Sequence, residues 1–192
     1  MSDVARIYQE LCALRQIIAV TNSPSDQSAF EAIASKSLLL ASASYFERQV
    51  CGAIERAARD AGTCDLMVNF ISKQALERKY HVMFDWDKRN INKFLSLFGP
   101  DYKTKMESEI KESEVLSKAM NDFIFINSQR NLLVHNNYAS FALETAMDEL
   151  WVKFESGKRL SDWLPLKLAR LAAQEASVGD GQAKYADSEL PE

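Results

Sequence analysis

The chain has 192 residues, room for one domain with a sizeable core, and its 47% hydrophobic and 26% charged content suit a soluble globular protein. A net charge of −4 and a pI near 5.4 argue against a general electrostatic grip on nucleic acid, so any RNA contact must be local and confined to a cleft. Gly 6 and Pro 4 are few, which favours helices over a strand-and-turn architecture. No apolar stretch approaches the roughly 18 residues of a membrane span. The N-terminus, MSDVARIYQEL, lacks the apolar core of a signal peptide, so a cytoplasmic location without membrane contact is expected. Cys12, Cys51 and Cys64 are odd in number and lack C-x-x-C spacing. We expect buried thiols in a reducing compartment rather than a disulfide frame or zinc site.

In chain order, Val4, Ile7, Leu11, Leu14 and Ile18 predict a helix from Asp3 to Val20, stopped by Thr21-Asn22-Ser23-Pro24-Ser25. A long helix follows from Ser28 to Ala61, closed by Gly62. Its centre, Leu38 to Val50, is apolar nearly all round and should be the buried central helix. A third helix is expected over Asp65 to Lys79. Asp85 should cap a fourth from Trp86 to Phe98, closed by Gly99-Pro100. Asp101 to Asn136 reads as helical, with a polar first half, an apolar second half and a break near Ser113. Phe123-Ile124-Phe125-Ile126 is ambiguous between helix and strand. Ser140 should cap a helix stopped by Gly157, and a last helix covers Asp162 to Ala176. The polar tail from Ser177 to Glu192 is expected to be disordered. The expected core includes Leu38, Leu39, Tyr45, Phe46, Phe94, Phe98, Phe123, Ile126, Leu132 and Leu133.

The most informative segment is Arg130-Asn131-Leu132-Leu133-Val134-His135, which holds one of only two histidines. Asn131 and His135 are spaced i,i+4 and share a helix face, while Leu132, Leu133 and Val134 can turn toward a core. Arg130 lies about 140° around an ideal helix from His135. Its side chain can bend toward the same cleft or meet the His of a second subunit. An Arg that clamps phosphate and a His that moves a proton near neutral pH suit metal-free phosphodiester chemistry. The alternative is an ordinary helix C-terminus, where His and Asn satisfy the last carbonyls and Arg130 caps or pairs at the surface. Neither a phosphate loop nor metal-ligand spacing is present in the sequence, so no cofactor and no metal are expected. His81 reads as a surface or capping residue. Lys88, Arg89 and Lys93 read as a solvated basic face with RNA contact as the lesser alternative, and Trp86, Trp151 and Trp163 as core or dimer anchors.

Two further segments join this motif: Leu40-Ala41-Ser42-Ala43-Ser44-Tyr45-Phe46-Glu47, and Asn92-Lys93-Phe94-Leu95-Ser96-Leu97-Phe98-Gly99. In this order and spacing, residues 4 to 170 resemble the HEPN superfamily, specifically its RiboL-PSP-HEPN type. The resemblance implies an all-α, up-down helical bundle over residues 1–176 as a single domain with long central helices. It also implies a homodimer whose Arg-x4-His motifs face each other across a two-fold cleft. Many members are metal-independent endoribonucleases of toxin–antitoxin and phage-defence systems, with an antitoxin or defence-complex partner; others are non-catalytic RNA-binding or scaffold modules. Arg130 and His135 match the catalytic pair, Asn131 the polar residue after the Arg, and Glu47 the acidic position on the facing helix. Glu47 is open to a structural role, paired with an Arg of its own chain. In some toxin members a Tyr two residues after the His is modified by a partner nucleotidyltransferase. Here that place is Asn137, and Tyr138 follows it, so the resemblance does not extend to that device. A helical protein-interaction subunit with a merely structural Arg–His pair is the third reading.

Overall fold

A computed structural model describes the backbone of residues 2–186 and the side-chain surroundings of residues 2–169. The described residues are all-α, without a strand: α1 (Asp3–Ala19), α2 (Pro24–Asp60), α3 (Asp65–Ile71), a π-helical turn (Ser72–Leu76), α4 (Tyr80–Met83), α5 (Asn92–Ser96), α6 (Pro100–Glu112), α7 (Glu114–His135) and α8 (Met147–Ala186). Residues up to 47 together with 84–160 form one compact unit, and 48–83 together with those from 161 onward form a second. Of the expected tail, residues up to Ala186 continue α8, and 187–192 lie outside the described residues.

In the first unit the core is a layer of aromatic rings. Phe46 of α2 sits 4.9 Å from Phe123 of α7 and 5.5 Å from Phe154 of α8, with all three rings fully buried. At the other end Lys36 of α2 reaches the Tyr138 carbonyl just beyond α7, so α2 and α7 run antiparallel. Burying these rings removes some 150–250 Å² of aromatic surface each from water. The α1 helix is fastened by Tyr8, which stacks on Trp151 at 4.5 Å and donates to Asp148 Oδ1 at 2.8 Å. Arg15 adds a two-pronged contact to the same carboxylate, at 2.9 and 3.0 Å, and holds the Asp148 carboxyl below the usual carboxylate range. In the second unit, Gly62 turns the chain after α2 with φ +77, and Val68, Leu76, Tyr80 and Met83 are buried.

The largest departures from expectation lie at α8 and before α5. Gly157 does not stop a helix, because α8 runs through it and through Pro165. A Cβ on Gly157 would stand 3.0 Å from both the Phe123 backbone nitrogen and Phe46 Cζ, so glycine serves close packing rather than termination. Residues 136–146 precede α8 without a helix. There Asn137 accepts Ala139 N–H on its side chain at 3.0 Å and Phe141 N–H on its carbonyl at 2.9 Å.

The expected helix from Trp86 is instead a loop over 84–91, and Asp85 does not cap it. The Asp85 carboxylate pairs with Lys88 at 2.8 Å, and Phe84 stacks on Phe94 at 4.9 Å and on Trp86 at 4.7 Å. Tertiary stacking outweighs the weak helix preference of this stretch. The expected third helix ends early, at Ile71, and passes into the π turn. Arg78 then takes a left-handed conformation with φ +58. The ambiguous run Phe123–Ile126 is helical, and the break at Ser113 falls where expected, with the Ser113 hydroxyl accepting the Leu116 N–H at 3.3 Å. Tyr45 and Phe98 are half-buried rather than buried, and Cys64 is exposed at the start of α3 while Cys12 and Cys51 are half-buried.

Candidate functional site

The α7 helix carries the motif on its last turn and a half. Its Ser113 cap and the buried residues Phe123, Ile124, Ile126 and Asn127 fix the helix against the first unit's core, and its C-terminal end projects beyond them. Leu133 is fully buried, but Leu132 and Val134 are not core residues: they are 48% and 46% exposed. Only one of the three apolar residues of the hexapeptide can face the core, because successive helical positions turn by about 100°. Leu132, expected in the core, is therefore not part of it, whereas Leu133 is.

The helix end is closed by Asn136, not by His135. Asn136 presents its backbone N–H to the Leu132 carbonyl at 3.1 Å and its side-chain amide to the same oxygen at 2.7 Å. His135, the last helical residue, is exposed and leaves the capping to its neighbour. Arg130 is half-buried as a residue. It donates to Asn131 Oδ1 at 3.2 Å, and among the described residues it forms no ion pair.

Arg130 and Asn131 are thus joined, and Asn131 and His135 share a face one turn apart. Glu47 lies on α2. It follows Phe46, which faces Phe123, and Phe123 precedes Arg130 by two helical turns, about 10 Å along α7. No ion pair links Glu47 to Arg130 among the described residues.

Asn131 and Leu132 line a cleft of about 530 Å³, walled by Phe84, Trp86 and Asp87 from the loop, with Lys93 of α5 at its edge. Lys36 is the residue that sequence reasoning passed over. It is 8% exposed, and its ammonium donates to the Tyr138 carbonyl at 2.8 Å and lies 4.9 Å from the Tyr138 ring centre. It pins the turn that follows His135. The one signal in the sequence is a lone lysine between Ala34-Ser35 and Leu38-Leu39. Tyr138 itself is 47% exposed. His81 lies on α4, edge-on to Tyr80 at 5.2 Å, in the other unit from the motif. Among the described residues no three of His, Cys, Asp and Glu converge.

The fold and the motif define an all-α helical domain of the HEPN class. A RiboL-PSP-HEPN family model matches residues 2–164, and the chain belongs to that family; it is an RNA-related HEPN module. No curated protein and no solved structure matches the chain. No helix among the described residues is long and apolar enough to cross a membrane.

Proposed function

We propose that this protein is a metal-independent endoribonuclease that works as a homodimer, in the role of a toxin or phage-defence effector. The observation that carries the reading is Arg130, a half-buried residue without a carboxylate partner among the described residues, on the helix end that presents His135 to solvent. An arginine held ready in this way is suited to an anion from outside, and a phosphodiester fits its planar fork. The 2′-oxygen of the ribose attacks the adjacent phosphorus and the 5′-oxygen departs. A 2′,3′-cyclic phosphate and a 5′-hydroxyl result, and the former can open to a 3′-phosphate. His135 takes the 2′-OH proton or delivers one to the leaving oxygen, and Arg130 stabilises charge that builds on the phosphoryl oxygens. Asn131 positions Arg130.

One chain offers a single histidine on this face, turned about 140° from Arg130. Two chains supply both an acid and a base. Leu132 and Val134 flank His135 with exposed apolar surface, which supports a two-fold contact centred on the motif.

The test is RNA cleavage by purified protein in EDTA. Wild type should cut and leave cyclic or 3′-phosphate ends, and the Arg130→Ala/His135→Ala double variant should not. Cleavage that requires Mg²⁺, or that survives in the double variant, overturns the reading in favour of a non-catalytic RNA-binding or scaffold module.

A further inference from the structure

A second cleft, of about 440 Å³, adjoins the one that holds Asn131, and the two share Trp86, Asp87 and Ser128. Together they form a groove between α7 and the 84–91 loop. Ser128, Asn131 and His135 fall within about 60° of arc on an ideal helix, so the groove follows the face of α7 that ends at the histidine. Ser128 lies about 10 Å from His135 along the axis, roughly three stacked nucleotides at about 3.4 Å each.

The groove offers both a base platform and cations for the flanking phosphates, since Arg89 and Lys153 line one half and Lys93 the other. Trp86 is half-buried and supported by Phe84, which stacks on it at 4.7 Å and on Phe94 at 4.9 Å, so the indole is held as a platform. Of the three carboxylates beside the groove, Asp85 is engaged by Lys88, and Asp122 by Lys118 at 2.5 Å and Lys153 at 3.7 Å. Asp87 is exposed and in no ion pair among the described residues. It lines both halves of the groove and can accept N–H donors. Gln129 adds an amide to the same wall.

We propose that this groove takes one unpaired guanine of an RNA strand, stacked on Trp86 and read by the Asp87 carboxylate. Guanine presents two adjacent N–H groups to a carboxylate, whereas adenine and cytosine offer only one exocyclic amine and uracil a single ring N–H. The base–aromatic stack supplies affinity and the carboxylate supplies choice. The proposal deepens the ribonuclease reading and rests on RNA being the ligand of Arg130 and His135.

Binding of fluorescently labelled hexanucleotides with 2′-fluoro ribose, which lack the attacking hydroxyl, separates recognition from cleavage. Wild type should prefer an oligonucleotide with one guanine over its adenine counterpart by about 5- to 100-fold, the usual worth of a two-point base contact. Asp87→Asn should bring that preference to about 2-fold or less while leaving the thermal midpoint unchanged, since Asp87 is exposed. Trp86→Ala should weaken all the oligonucleotides by about 10-fold, and Trp86→Phe should restore most of the loss. Equal binding of the four bases by wild type, no binding at all, or a guanine preference that survives Asp87→Asn overturns the proposal. A guanine preference that depends on Asp87 in a protein that leaves unmodified RNA intact upholds the groove and removes the nuclease reading.

Discussion

Arg130 donates to the side-chain oxygen of its own neighbour, Asn131, at 3.2 Å, while Asn136 five residues beyond that neighbour closes the helix. The division of labour separates this helix end from an ordinary one. Where a terminal Arg and His merely satisfy carbonyls, both are occupied. Here Asn136 caps, Arg130 donates to Asn131, and His135 is exposed.

Single substitutions at the motif should be graded. Arg130→Ala and His135→Ala should each lower RNA cleavage by about 10²–10⁴-fold, since charge stabilisation and proton transfer both act in the transition state. Arg130→Lys should recover little, because an ammonium lacks the fork. Asn131→Ala should cost less, as it loses only an orienting hydrogen bond. Glu47→Gln should leave the rate within a few-fold of wild type, since its neighbour Phe46 packs against Phe123, two turns before Arg130. Initial rates on a defined RNA, with circular dichroism to verify folding, check the order.

Leu132→Asp should convert a dimer to a monomer. The side chain is 48% exposed, so the substitution leaves the core of each chain alone and places a charge in the proposed contact. Sedimentation equilibrium should report half the mass with an unchanged helical signal. A dimer that persists in Leu132→Asp would move the interface elsewhere.

Gly157→Ala should destabilise the fold even though alanine is the better helix former. The propensity gain is about 1 kcal/mol, and the new methyl would meet the Phe123 backbone and the Phe46 ring at 3.0 Å. Backbone cannot swing aside, and overpacking of this kind costs about 1–3 kcal/mol. A thermal midpoint lower by several degrees is expected in calorimetry. An increase would show that α8 and α7 can separate cheaply.

Tyr102 is 5% exposed, and its hydroxyl has no hydrogen-bond partner among the described residues. Burial, aided by the nearby Glu109 charge, pushes its phenol up from 10.0 to about 12. The neutral form is favoured in the folded state, so this contribution is complete below pH 10 and is lost as pH rises toward 12. Tyr102→Phe should stabilise the protein by about 1 kcal/mol at neutral pH, by removing an unsatisfied buried hydroxyl. It should also flatten the alkaline fall in stability. Urea unfolding across pH 8 to 11, a range of about three units around the reference phenol value, checks both.

The helical class, the long α2 helix, the Ser113 break and the Arg130–His135 motif were all legible in the residues, because helical periodicity and capping are local properties. Leu133 could be assigned to the core but not distinguished from Leu132 and Val134. Which of three adjacent apolar residues points inward depends on what packs against the helix, and that information lies in α2 and α8. Gly157 shows the same limit from the opposite side. As a symbol it reads as a stop, and only the approach of Phe46 and Phe123 makes it the residue that lets three helices meet. The loop over 84–91 was decided by Phe84, which stacks on Phe94 of α5 and on Trp86 of its own loop. Lys36 was silent in the sequence because its acceptor, the Tyr138 carbonyl, is 102 residues away. The sequence by itself determined most of the elements and which residues stand at the end of α7. Tertiary structure alone decided which side chains are buried and which carboxylates are neutralised, since burial and ion pairing arise between elements rather than within them.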